Sequence, residues 1–401
     1  MCSSSRWPTL HPSFLDPPAD RMKVCMLLHK DVEHDSRVRR EARALREMGH
    51  LVTLVQLAPA PRNGTLDNGT ALVSALPPAW VRRFAPFHAY RLVFLAFFVW
   101  RVLRERPDAV HAHDAAMLAP GFIGARLTRA LLVYDSHELA TGVPYRTKGW
   151  CLLVHALERL LIRRCDVVIT VSPGIAAHLQ DRYRLHRMPT VLRNVTELSL
   201  DGSVAPTESL RERLSLHNEQ LILHLGAPAR YRGCENLIAS MSMLTAAHLV
   251  FLGDGEADFM AELRAVAVAS AVTRRVHFLA SVPLGSVLSY TTEADVGVSL
   301  LEGNCENHRL ALPNKVFEYI AARVPLLTSD LPEVRQLVDH FGVGWTVDSG
   351  DPMSIVRGLA HALRHSADPT LRCRLEDAAS SLTWRHEQER LRDAYSLLAV
   401  P

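Results

Sequence analysis

The sequence predicts an α/β protein of two doubly wound, Rossmann-like domains that face each other across a cleft. Three observations carry this. Short apolar runs alternate with longer amphipathic ones from Lys23 onward. The rhythm breaks in a polar, irregular stretch at Leu198–Thr207 and then restarts. Polar motifs lie just after the apolar runs. Strands alternating with helices imply a parallel sheet with βαβ crossovers. Open sheets of that kind take ligands beyond the carboxyl ends of their strands.

In chain order, Lys23–Leu28 is a buried-strand run, and Asp35–Met48 has helical spacing with Val38, Ala42, Leu45 and Met48 on one face. Leu51–Leu57 is the next strand. An irregular Pro, Gly and Asn stretch follows, then a long apolar helix over Ala89–Arg104. Ala109–His111, Leu131–Tyr134 and Val167–Thr170 are short strands separated by helical segments. After the break come strand Leu221–Leu225, helix Glu235–Leu244, strand Leu249–Leu252, helix Glu256–Ser270 and strand Val276–Leu279. Strand Val296–Ser299, helix Lys315–Ala322 and strand Pro325–Thr328 continue the pattern. The chain thus divides into a loose Ser- and Pro-rich tail (1–21), a first domain (22–200), a second (201–383) and a final segment (384–401).

A chain of 401 residues suits two or three domains. Its 48% apolar and 22% charged content is that of a soluble globular protein. Lys+Arg 45 against Asp+Glu 42 leaves +3, which gives no bulk-charge case for a nucleic acid polymer as partner. Seven cysteines, odd in number and never spaced C-x-x-C, argue against a disulfide framework and suit a reducing compartment. The longest apolar stretch, Leu92–Trp100, is too short to span a bilayer. The expected location is cytoplasmic. Helix Ala89–Arg104, with Arg82, Arg83 and Arg91 nearby, offers peripheral membrane contact, but a buried domain helix is the preferred reading. Nothing in the pattern fixes an oligomeric state.

Four motifs carry chemistry. In Pro313–Tyr319, Asn314 is a good N-cap, and Asn314, Lys315 and Glu318 are spaced to share one helix face. A helix N-terminus suits a diphosphate, and a carboxylate one turn in can accept from two ribose hydroxyls. The alternative is a surface helix with an ion pair. In Gly226–Gly233, Arg230 and Arg232 at a strand end can grip a phosphate, although the segment is not a P-loop. Solvated arginines on a βα loop are the alternative. His111-Ala112-His113-Asp114 and Tyr134-Asp135-Ser136-His137-Glu138 set imidazole beside carboxylate, which suits acceptor binding or proton handling. The same set resembles metal ligands, but with 20 histidines in the chain no metal is assigned. Finally, Asp35 or Ser36 caps the first helix, with Arg37 close to the cleft.

The ordered combination of these segments resembles the retaining glycosyltransferases of GT-B architecture, specifically glycosyltransferase family four. Asp35-x-Arg37-Val38 with Glu41-Ala42, the two histidine motifs, Asp166–Ser172 and Arg193-Asn194-Val195 carry the resemblance. Gly253-Asp254-Gly255, Ala294–Val298 and Asn314-Lys315-x-x-Glu318-Tyr319 extend it from Lys23 to the Trp384–Leu398 run. The resemblance implies an acceptor-binding first domain, a nucleotide-sugar-binding second domain, and a last helix that crosses back to the first. It implies that Glu318 binds the donor ribose. Arg232 stands where relatives have a lysine on the diphosphate, with Arg230 beside it. Gly226, Asn314, Lys315 and Leu310 complete the donor side. His113 takes the position facing the reacting centre, with His137, Arg37, Asp114 and Glu138 on the acceptor side.

Two departures accompany this. The family's arginine after the first glycine is Ala227, and its Glu-x7-Glu pair would need a carboxylate at Leu310. Backbone amides of Leu310–Pro313, or Glu306, Asn307 and His308, would read the sugar instead. The activity implied is transfer with retention from a UDP- or GDP-sugar co-substrate to a small molecule or glycan, without metal or enzyme nucleophile, in natural-product or polysaccharide biosynthesis. A nucleotide-sugar epimerase and a non-catalytic sugar-nucleotide-binding subunit are the alternatives.

Overall fold

In the computed structural model the described residues are 21–58, 63–66, 68–75, 87–143, 147–197 and 208–398. The tail over 1–20 and the Leu198–Thr207 segment lie outside them, as do Arg82, Arg83 and the side chain of Arg91. The first sheet runs β1 (Lys23–Leu28), β2 (Leu51–Leu57), β3 (Gly64–Thr65), β4 (Ala71–Ala75), β5 (Ala109–His113), β6 (Leu131–Ser136), β7 (Val167–Thr170) and β8 (Thr190–Val191). Their spatial order is β3-β4-β2-β1-β5-β6-β7-β8. All pairs are parallel except β3 with β4. Strands β3 and β4 fall in the stretch expected to be irregular. Ala71–Ala75 is only five residues long and stands among Gly and Asn, so its pairing partner β2 decides it.

The helices of this domain are α1 (Ser36–Glu47), α2 (Phe87–Glu105), α3 (Asp114–Thr128), α4 (Lys148–Leu161) and α5 (Pro173–Tyr183). Helix α1 packs its apolar stripe of Val38, Ala42 and Leu45 on one sheet face. Helix α2 packs on α3, and α3 on α4. The reading of α2 as a buried helix needs correction. Phe98 and Val102 face the core, but Val93, Trp100 and Leu103 are exposed.

The second domain follows with α6 (Leu210–Arg213), β9 (Gln220–Leu225), α7 (Cys234–Ser240), β10 (Ala247–Leu252), α8 (Ala257–Ala269), β11 (Val276–Leu279), α9 (Val287–Thr291) and β12 (Val296–Ser299). It continues with α10 (Glu306–Leu310), α11 (Asn314–Ala321), β13 (Leu326–Ser329), α12 (Pro332–Phe341), β14 (Gly344–Val347), α13 (Pro352–His365) and α14 (Pro369–Ser381). Its sheet, in the order β11-β10-β9-β12-β13-β14, is wholly parallel. Parallel strands covered on both faces are apolar throughout, and β9 reads Leu, Ile, Leu at its centre.

Helix α15 (Trp384–Ser396) returns to the first domain, where Trp384, Leu391, Ala394 and Tyr395 join the core with α1. A second bridge is α10. The Asn307 Oδ1 accepts from the Leu139 N–H at 2.8 Å, and the Asn307 N–H donates to the Gly142 carbonyl at 3.2 Å. These two bridges fix how the carboxyl ends of the sheets face one another.

Candidate active site

Strand ends of both sheets border one cleft of about 650 Å³. Glu138 and Val143 line it from the first domain. The 227–232 loop, Asp254, Gly255, Glu256, Phe259 and parts of the 299–315 segment line it from the second. After β9 the chain must turn off the sheet. Gly226, Tyr231 and Gly233 all take left-handed backbone (φ +81, +65 and +62), so the loop curls over the strand end. A Cβ on Gly226 would stand 3.2 Å from Lys315 Cε. The missing side chain is therefore the slot that Lys315 occupies.

Lys315 Nζ lies 3.4 Å from His224 Nε2. Burial, reinforced by Lys315 and Arg232, holds His224 far below its ordinary range, so it is neutral and offers a lone pair to the ammonium. Burial with Arg232 nearby pulls Lys315 down to about 7. Arg232 donates to the Ala227 carbonyl at 3.1 Å. Among the described residues, the partners of these two cations are thus an imidazole and a carbonyl rather than carboxylates. Arg230 differs: it pairs with Glu262 at 2.5 Å and lies 5.1 Å over the Phe259 ring.

Several expectations on this wall change. Asn314 does not cap its helix. Pro313 is the cap residue and its carbonyl accepts from the Val316 N–H at 3.1 Å, so Asn314 is the first helical residue. Asn314, Lys315 and Glu318 do not present one face to one ligand. At about 100° per residue the three do fall within one arc of about 100°, but that arc straddles two pockets. Lys315 lines the large cleft, Glu318 a smaller pocket with Arg40 and Asn194, and Asn314 both. Leu310 is not on the cleft either. Its side chain packs on the first domain's core, and its carbonyl accepts from the Ser172 hydroxyl at 2.5 Å. Glu306 turns away to His178 at 3.0 Å, whereas Asn307 and His308 do line the cleft.

The first-domain wall is a buried ion network. Asp135, at the end of β6, accepts from Arg37 Nε and Nη2 at 3.0 Å each, with His137 Nε2 at 3.0 Å and His113 Nδ1 at 3.4 Å. Against burial, Arg37 and His137 hold its carboxyl well below the usual range. Arg37 also donates to the Leu192 carbonyl at 2.7 Å and pairs with Glu41 at 2.8 Å. It is 2% exposed, so its expected acceptor contact is corrected: each of its three nitrogens bonds inside the domain. His113 is likewise fully buried, against the reading that it faces the reacting centre. Its Nδ1 is 3.1 Å from Nε2 of His137, and His137 is the more exposed of the pair.

His137 lies between three carboxylates, Asp135, Asp114 (3.6 Å) and Asp35 (3.8 Å). Burial opposes its charge, but Asp114 and Asp135 prevail and push it up to about 9. Asp114 reaches it from left-handed backbone (φ +64), a conformation Asp tolerates better than most residues. Burial, with Asp135 beside it, pushes Glu41 up to about 8. Glu41, His111, His113 and Asp135 bring ligand-type atoms within 4.8 Å of one another. Arg37 supplies positive charge to these carboxylates, so the set is read as an internal ion network.

Sequence reasoning missed His224, Glu41 as a network member, and Tyr395, whose hydroxyl lies 2.9 Å from His111 Nδ1. His224 had a signal: it is the polar residue in an otherwise apolar run, Leu221–Leu225. Tyr395 had none.

Residues 36–199 match the family described as Glycosyltransferase Family 4, and residues 219–365 the one described as Glycosyl transferases group 1. Glycogen synthases of two Mycobacterium tuberculosis strains are each 27% identical over 274 residues, 66% of this chain. The chain spans 61% of the length of those relatives. Among solved structures, sucrose-phosphate synthase from Thermosynechococcus elongatus has a TM-score of 0.73 at 16% identity, over 94% of this chain and 99% of that one. Anabaena HepE in complex with UDP-glucose has a TM-score of 0.73 at 15% identity, over 94% and 100% of the two chains. At such identities the likeness speaks for the fold.

Proposed function

From a chain that belongs to the GT-B glycosyltransferases through its family 4 and group 1 domains, we propose a retaining transfer of sugar from a UDP- or GDP-sugar to a small-molecule or glycan acceptor in the cytoplasm. The observation that carries the reading is the pairing of Arg232 and Lys315 on one cleft wall without carboxylate partners among the described residues. Two cations aimed at the same space favour an anionic leaving group. The solved complexes of HepE with UDP, UDP-glucose, and UDP with glucose support the same ligand class.

As the sugar–diphosphate bond breaks, negative charge grows on the diphosphate. Arg232, Lys315 and the first N–H groups of α11 are positioned to meet that charge. These cations fill the role a metal plays elsewhere, so the transfer needs none. Retention is the stereochemistry the family resemblance implies, with the acceptor entering on the face the diphosphate leaves. On the acceptor side, His137 is held charged by its three carboxylates, so it serves as a hydrogen-bond donor to an acceptor hydroxyl rather than as a base. Asp114 fixes His137, and Glu138 lines the cleft beside them. Glu318 remains the candidate for the ribose, and its place on the smaller pocket calls for a shift of α11 on donor binding.

A thermal-shift screen of UDP-, GDP- and dTDP-sugars, followed by product analysis with sugar acceptors in the presence and absence of EDTA, tests the reading. A stabilising nucleotide sugar and an acceptor-dependent glycoside of unchanged anomeric configuration are expected. Conversion of the donor without acceptor would instead indicate an epimerase, and no stabilisation by any donor would refute the assignment.

A further inference from the structure

The first domain carries an apolar outer face that its fold does not explain. Of the 16 large apolar side chains exposed in the described structure, eight stand on three adjacent helices, α2, α3 and α4. On α2 they are Val93, Trp100 and Leu103, spaced as one helical stripe. Helix α3 adds Ile123 and Leu127, one turn apart, and α4 adds Leu152, Leu153 and Leu160. Single exposed leucines are ordinary, but a contiguous apolar layer over three neighbouring helices marks an interaction surface.

Charge identifies the partner. In a parallel α/β layer all crossover helices run the same way, so their C-termini gather along the sheet edge opposite the cleft. There stand Arg104, Arg126, Arg129, Arg159, Arg163 and Arg164, all exposed. Among the described residues none of the six is ion-paired to a carboxylate, and Arg104 lies 5.6 Å over the Trp100 ring. The acidic residues of that edge are engaged elsewhere. Asp108 accepts from the Lys23 N–H and Asp166 from the Leu132 N–H, each at 2.7 Å, and Glu105 pairs with Arg101. The face is therefore apolar with a basic rim and a tryptophan at the boundary.

We propose that the α2–α3–α4 face docks the protein on an anionic lipid bilayer, with its apolar side chains in the headgroup–acyl boundary and its arginines on lipid phosphates. A second copy of the chain fits less well: a two-fold contact sets a patch against itself, and no acidic patch on this face would meet the arginines. No helix of the described structure is long and apolar enough to cross a membrane, so the contact is one of lying on the surface.

The test is co-sedimentation of the full chain with vesicles of phosphatidylcholine alone or with phosphatidylglycerol added. Binding to the anionic vesicles is expected at low salt, weakened at least about tenfold at high salt by screening. Trp100→Glu/Leu152→Glu should lose it, and Arg126→Ser/Arg129→Ser/Arg163→Ser, which leaves every apolar contact intact, should weaken it to a similar extent. Both variants should keep the parent's melting temperature. Failure to bind anionic vesicles, or binding that survives both variants, overturns the proposal. So does self-association in solution that the Trp100→Glu/Leu152→Glu variant abolishes while vesicle binding is absent.

Discussion

The two walls of the cleft use charge in opposite ways. On the first-domain wall, Arg37 and Asp135 neutralise each other in a buried network of which His137 and Asp114 are the partly exposed members. On the second-domain wall, Lys315 and Arg232 are held in place by a lone pair and a carbonyl, and among the described residues neither forms an ion pair with a carboxylate, Glu318 acting on Lys315 only from a distance. A buried charge that is paired contributes rigidity. One that is not costs free energy, which a bound anion can return as affinity. The first wall is accordingly a scaffold and the second a receptor.

Removing the hub of the scaffold should have the largest effect. Asp135→Ala strands Arg37 in the interior, and urea denaturation should show a loss of about 3–5 kcal/mol. Normal stability with reduced turnover would break the comparison, since Asp135 would then be acting on substrate. On the receptor wall, Lys315→Ala and Arg232→Ala should each cut turnover by about 10²–10³-fold without lowering the unfolding midpoint, measured by steady-state kinetics and thermal melts. His224→Leu should raise the donor KM about tenfold, as expected for loss of one hydrogen bond to a charged group. His224→Gln, which keeps an acceptor, should recover most of it.

Two pH responses sharpen the contrast. Lys315, at about 7 in the free protein, must regain its proton to hold a diphosphate. Affinity for UDP should therefore fall as pH rises above about 7, and calorimetry in buffers of different ionisation enthalpy should register proton uptake. Lys315→Arg should flatten that dependence. His137 behaves in the opposite sense. Its folded value of about 9 exceeds the ordinary 6.5, so the charged ring stabilises the fold fully below 6.5 and that contribution is lost as pH rises through 9. Denaturation midpoints should decline over that window, and His137→Gln should remove the slope.

Much of the architecture is legible in the sequence. β1, β2, β7, β11 and β12 have the expected residues, because a strand of a covered parallel sheet is a short apolar run bounded by polar residues and needs no distant partner to be recognised. The location of the cleft is legible for the same reason, since motifs at strand ends meet wherever parallel sheets face each other. Strands β3 and β4 were not, because their pairing with β2 rather than their composition makes them strands.

The sequence by itself thus determined the alternation of strands and helices and the two α/β sheets they build, which local spacing encodes. The tertiary structure decided what each side chain does at the cleft. Arg37 looked like a cleft residue until its partner Asp135, 98 residues away, buried it. Leu310 looked like a donor contact until Ser172 of the other domain took its carbonyl. Lys315 and Glu318 share a motif, yet they line different pockets, with Asn314 on both. Whether a charge is spent or left open depends on groups brought together across long sequence separations, and no local pattern carries that information.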